Sequence, residues 1–161
     1  MSRKRGIPLA CALAMLVVFG LAGPASATSP TAVAGTWDWD NLSWVTQKVV
    51  GGNEFFSGTE QTARTGWSGD LAGTSFDTFT GVIHQNGAVV AQLTVYFDGS
   101  VLGRSGTMVM DVSCLANNGH GFAGKWFIRS GTGGLAGLHG NGSWGAWGGD
   151  LVEYSGSAHW R

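Results

Sequence analysis

Alternation of apolar and polar residues runs through this chain, and Gly paired with Asn or Asp breaks it at short intervals. Val89, Ala91, Leu93, Val95 and Phe97 alternate with Val90, Gln92, Thr94 and Tyr96, and Gln85-Asn86-Gly87 and Asp98-Gly99 close the run at either end. A period of two is that of a strand, whose successive side chains point to opposite faces. Asn-Gly and Asp-Gly tolerate the positive φ angles of tight hairpin turns. A helical period is almost absent, so the chain is confined to antiparallel β structure with short connections.

The same reading along the chain gives about eight strands. They cover Gly35–Trp44, Glu54–Ser68, Phe76–His84, Ala88–Phe97, Gly103–Cys114, Gly121–Ser130, Gly140–Gly145 and Asp150–Trp160. The expected fold is all-β, a single closed antiparallel barrel, with a two-sheet sandwich as the alternative. Closure removes both exposed edges. Eight strands leave an interior that side chains fill or that holds one small ligand. The 28 glycines suit turns and bulges, and the 8 tryptophans argue for a packed core against disorder.

The N-terminus carries a separate message. Arg3, Lys4 and Arg5 precede an uncharged apolar stretch from Ile7 to Leu21, and Gly23-Pro24-Ala25-Ser26-Ala27 follows. This is the order of a secretory signal peptide with an Ala-x-Ala cleavage site, so residues 1–27 are expected to be removed after Ala27 and the protein secreted. The stretch is shorter than the roughly 20 residues of a spanning helix, and stable membrane insertion is not expected after cleavage. Residues 28–35 read as a flexible lead-in and 36–161 as the barrel domain.

Cleavage leaves about 134 residues, with six basic against ten acidic and hence a net charge of −4. Such a balance argues against a nucleic-acid partner. It also leaves Cys114 without a second cysteine. At the end of the run Met108, Met110, Val112, Cys114, the thiol is expected to be a buried hydrophobe.

The stretch from Gly103 to Gly142 resembles a bacterial family of small proteins of unknown function within the allene oxide cyclase-like barrel superfamily. The residues that carry it are Gly103-Arg104-Ser105-Gly106, Gly124-Lys125-Trp126-Phe127-Ile128, Gly131-Thr132-Gly133, Leu135-Ala136-Gly137-Leu138, Gly140 and Gly142. Phe56-Ser57-Gly58, Trp67-Ser68-Gly69-Asp70-Leu71 and Tyr154-Ser155-Gly156 are similar more loosely. The resemblance implies an allene oxide cyclase-like barrel, distantly dirigent-like. It brings in a cofactor-free cyclase or isomerase, or a guide of cyclisation, acting on an apolar molecule. Gly35-Thr36-Trp37 is similar to the opening strand of lipocalin and avidin barrels, which implies binding without chemistry. A barrel filled with side chains, serving as an extracellular structural or interaction protein, is the third reading.

Candidate chemistry is sparse. His84, His120, His139 and His159 are not spaced as metal ligands on one element, so neither a metal nor a cofactor is expected. Gly140-Asn141-Gly142-Ser143-Trp144-Gly145 matches a dinucleotide-binding pattern but has no strand-to-helix context. A cyclase needs a carboxylate or hydroxyl to polarise one oxygen of its substrate. Glu60, Tyr96, Asp111 and Glu153 are the catalytic candidates. For Glu60 two placements compete: beside Arg64 in solvent, which is favoured, or paired with it inside the barrel mouth. The expected partner is a small hydrophobic molecule, and self-association is left open.

Overall fold

A computed structural model describes residues 28–38, 42–61, 66–116, 121–147 and 151–161. The expected signal peptide, Trp39, Arg64 and His120 lie outside the described residues. Among the described residues ten strands form one sheet: β1 (Thr31–Asp38), β2 (Ser43–Val50), β3 (Asn53–Gln61), β4 (Trp67–Gly69), β5 (Leu71–Ile83), β6 (Val89–Val101), β7 (Arg104–Ala116), β8 (Phe122–Gly131), β9 (Leu138–Ala146) and β10 (Leu151–Trp160).

Their order is β2-β3-β5-β4-β1-β10-β9-β8-β7-β6, and an additional β5–β6 pairing closes the sheet on itself. Eight strands go round the ring, all antiparallel to their neighbours. β5 makes the closure. One edge pairs with β6 along its whole length, from Leu71↔Val101 to Ile83↔Val89. The other edge is divided, with Gln61↔Phe76 to Glu54↔Ile83 taken by β3 and Gly73 by Trp67 of β4. The β2–β3 hairpin therefore extends the wall at one end of the barrel, and every residue of β2 is exposed.

Alternation sets the inward faces of β6 and β7. Ala91, Val95 and Phe97 of β6 and Met108, Met110, Val112 and Cys114 of β7 all point inward. The Gly140–Gly145 stretch is an internal part of β9, with Trp144 buried.

Several boundaries differ from the sequence reading. Asp98-Gly99, expected as a turn, lies inside β6, paired with Thr74 and Gly73 of β5, and the chain turns instead at Leu102-Gly103, where both φ angles are positive. β5 starts at Leu71, ahead of the expected Phe76, and β2 is a strand that the sequence reading did not place. β1 begins at Thr31, inside the expected lead-in, because Val33 is buried and Thr31 to Asp38 pair continuously with β10. The single strand expected over 54–68 is two elements. Phe56, Glu60 and Trp67 all face inward, so one alternation does not hold for both β3 and β4.

The interior has two differently built parts. Between β1, β4, β9 and β10, Trp37 stacks on Trp67 at 4.4 Å and 23°, with Trp144 and Tyr154 at 5.6 and 6.2 Å from Trp37. Tyr154 crosses β1 to lock this region. Its hydroxyl accepts from Leu71 N at 2.8 Å and donates toward Ser68 O at 3.1 Å. A Cβ on Gly35 would collide with both Ser68 O and that hydroxyl, which explains the glycine. At the far end the β8–β9 connection forms a 3-10 turn at Gly133–Leu135, and Leu135, Leu138, Leu71 and Val101 bury almost completely. The Gly-Thr-Gly…Leu-Ala-Gly-Leu run thus closes one end of the barrel.

Candidate functional site

The opposite end is not filled. A cavity of about 230 Å³ lies between β2–β3 and β5–β7, lined by Leu42, Trp44, Phe56, Glu60, Phe79, Ile83, Val89, Ala91, Leu93, Cys114 and Phe122. Its deep residues, Phe56, Phe79, Ala91 and Cys114, are buried, while Leu42, Trp44 and Phe122 at its rim are exposed. A cavity of roughly 150 Å³ takes a benzene ring, so this one has room for a small bicyclic molecule. It is below the usual drug-sized range of about 300–1,000 Å³.

Two cross-strand pairs between β3 and β5 keep the space open. Phe56 is opposite Gly81, and Gly58 is opposite Phe79. Each ring lies over the glycine of the neighbouring strand, where an added Cβ would overlap it. The two rings therefore rest against the wall, in edge contact at 6.1 Å, instead of filling the centre. Gly58→Ala is expected to push Phe79 off the wall, lower thermal stability by roughly 1–3 kcal/mol and shrink the cavity. Thermal denaturation together with a bound-ligand titration checks this. Loss of stability without weaker binding would separate the ring's position from the cavity.

Glu60 is the charged group in this wall. The reading that placed it in solvent beside Arg64 is corrected: Glu60 is 2% exposed. It shares the inward face of β3 with Phe56 and Gly58. Directly opposite Glu60 on β5 stands Asp77, also 2% exposed. Burial pushes the Asp77 carboxyl up to about 7, partly offset by a hydrogen bond from Ser75. The Ser75 hydroxyl in turn accepts from Trp67 Nε1 at 3.1 Å. A polar chain so connects the aromatic cluster to the carboxylate pair.

Of the four sequence candidates, Glu60 reaches the cavity. The other three are on the outer surface, placed there by alternation. Tyr96 is exposed on β6, Glu153 is exposed on β10, and the half-exposed Asp111 on β7 is ion-paired with Arg129 of β8. Sequence reasoning missed Asp77. Its signal was a place on the same face as Phe79, Gly81 and Ile83, a charged residue among apolar ones.

Cys114 lies in the cavity wall, and burial pushes its thiol up to about 11, which makes it a poor nucleophile. His84 is exposed at the β5–β6 turn, with Nδ1 3.2 Å from Asn53 Oδ1. His139 and His159 meet across β9–β10 with stacked rings 5.7 Å apart, but among the described residues no three His, Cys, Asp or Glu side chains gather as metal ligands. No described helix is long and apolar enough to cross a membrane.

Comparison with known proteins supports the fold. The model of a family described as protein of unknown function (DUF3224) matches residues 34–155. A crystal structure of a DUF3224-family protein of unknown function from Shewanella oneidensis MR-1 superposes with a TM-score of 0.64. The two are 18% identical, and the match covers 83% of this chain and 98% of that one. No curated protein matches the chain.

Proposed function

The chain belongs to the DUF3224 family, and from that premise we propose that it is a binding protein for a small apolar molecule, held in the open end of its barrel. The observation that carries this reading is the apolar cavity of about 230 Å³, rimmed by exposed Leu42, Trp44 and Phe122. Binding sites of this kind combine apolar walls with few polar groups, and among the described residues Glu60 is the one charged side chain in this lining. The reading includes export: the N-terminal leader pattern supports removal of residues 1–27 and action outside the cytoplasm as a carrier.

A cofactor-free cyclase or isomerase is the second reading, and the buried carboxylate in the wall supports it. Such an enzyme would hold its substrate folded against Phe56 and Phe79, with Glu60 to move or stabilise a proton. The two readings share one cavity and differ in turnover.

Native mass spectrometry of the protein, purified without detergent, tests the common ground. An adduct of one small apolar molecule per chain, released on unfolding, is the expected result. The bare mass alone, together with no binding of 1-naphthalenemethanol at millimolar concentration, would overturn it. Recovery of the adduct unchanged after incubation supports a carrier, and its conversion supports an enzyme.

A further inference from the structure

His139 and His159 stand directly opposite each other in the β9–β10 ladder. Their chain neighbours Leu138 and Ala158 are buried, so alternation puts both imidazoles on the outer face of the barrel, where each is partly exposed. Direct cross-strand partners hold their Cβ atoms roughly 4.5–5.5 Å apart. The two rings are 24° from parallel, with centres 5.7 Å apart. Among the described residues neither ring has a hydrogen-bond or ion-pair partner. That spacing fits a shared ion. An imidazole nitrogen binds a zinc-sized ion at about 2.0–2.1 Å, which puts the ring centre roughly 3.2 Å from the metal. Two rings on one ion then have centres roughly 4.5 Å apart at a right angle and roughly 6.4 Å apart in line. The observed 5.7 Å lies inside this range. The χ2 torsion of His is broad, and rotation about it leaves the ring centre nearly in place. Turning the two rings can therefore aim one nitrogen of each at a common point while the strands hold the register.

We propose that His139 and His159 form a two-histidine site for a divalent first-row transition-metal ion, copper(II) ahead of zinc(II) or nickel(II). Imidazole suits all three ions, and copper(II) stands highest in their general order of affinity. Two protein ligands leave the remaining positions to water, unlike a closed structural centre with four. The next pair on the same face, Asn141 and Ser157, lines an open trough, so the ion and its water reach the rings from that side. The site is on the outside of the barrel and does not depend on what the cavity holds. Spacing along one element could not reveal it, because its two members come from neighbouring strands.

Isothermal titration of the protein with copper(II) chloride at pH 7.5, with glycine as a competing chelator, tests this. One ion per chain is expected, bound at least about tenfold more tightly than zinc(II). In the natural protein, paramagnetic broadening by copper(II) should fall on the imidazole signals of both His139 and His159. Chelation makes the two rings act as a unit, so His139→Ala and His159→Ala should each weaken copper(II) at least about tenfold, and the double variant little more. His84→Ala, which removes the exposed histidine at the β5–β6 turn, should leave the affinity unchanged. No copper(II) bound by the natural protein at millimolar concentration overturns the proposal. Losses of about twofold or less from either single variant, the mark of rings that bind separately, overturn it too. So does broadening at one of the two rings alone, or copper(II) binding that is lost with His84.

Discussion

Asp77→Asn is expected to make the protein more stable above neutrality and to remove most of a fall in stability that the natural protein shows as pH rises. Asp77 has an ordinary value of 3.8 and stands at about 7 in the folded barrel. The folded state therefore holds this proton more tightly than the unfolded chain does. Its contribution is fully present below about pH 4, declines as pH rises through the window from 3.8 to about 7, and levels off above it. A shift of this size corresponds to the order of 4 kcal/mol, a large part of the roughly 5–15 kcal/mol that stabilises a typical domain. Asn keeps the shape and an acceptor for the Ser75 hydroxyl, and it presents an uncharged amide to Glu60. Urea denaturation at pH 4, 6 and 8 measures the effect. The natural protein should lose stability across the series and the variant should lose much less. Parallel curves would mean that Asp77 is not held in an apolar setting.

Trp67→Ala should be the most damaging change in the aromatic half of the barrel. Trp67 stacks on Trp37, meets Phe97 edge-on at 5.8 Å and lies 5.4 Å from Tyr154. Its Nε1 also donates to the buried Ser75. Truncation removes the ring, leaves a cavity between four strands and takes the donor from Ser75. Tryptophan-to-alanine changes in cores cost about 3–5 kcal/mol. For a domain of this size that amounts to a fall in Tm of roughly 10–20 °C. Calorimetry checks it, and a fall of only a few degrees would contradict the packing described here. The cavity is on the other side of the interior. A variant that still folds at low temperature should therefore retain ligand binding.

Much of this barrel could be read from residue order because two-residue periodicity is local. The inward faces of β6 and β7 follow from alternation alone, and so does burial of Cys114. What alternation cannot supply is its own interruptions. Glu60 and Trp67 differ by an odd number of positions and still face the same interior, so extending one period through 54–68 misplaced the carboxylate. β1 begins inside the expected lead-in because its partner β10 comes from the far end of the sequence, and no local signal announces that pairing. The site is less legible for a related reason. A charged residue on an inward face reads as an exception until its neighbour across the strand is known. Glu60 was a candidate, but Asp77 becomes significant only once register sets the two opposite each other. Tyr96, Asp111 and Glu153 carried suitable chemistry, and alternation turned them outward. The glycines at 58 and 81 read as turn formers or bulges, whereas the register shows them as flat ground for Phe79 and Phe56.

On the proposed reading a small apolar molecule binds at the open end of the barrel, and not in its aromatic half or on its outer surface. Methyl-resolved NMR of the protein titrated with 1-naphthalenemethanol tests it most directly. Saturable shifts are predicted at Ile83, Val89 and Leu93, which line the cavity, with Leu71, Val101 and Leu135 at the closed end unmoved. Shifts confined to the closed end or to the outer surface, or none at saturating ligand, would rule out binding at the open end.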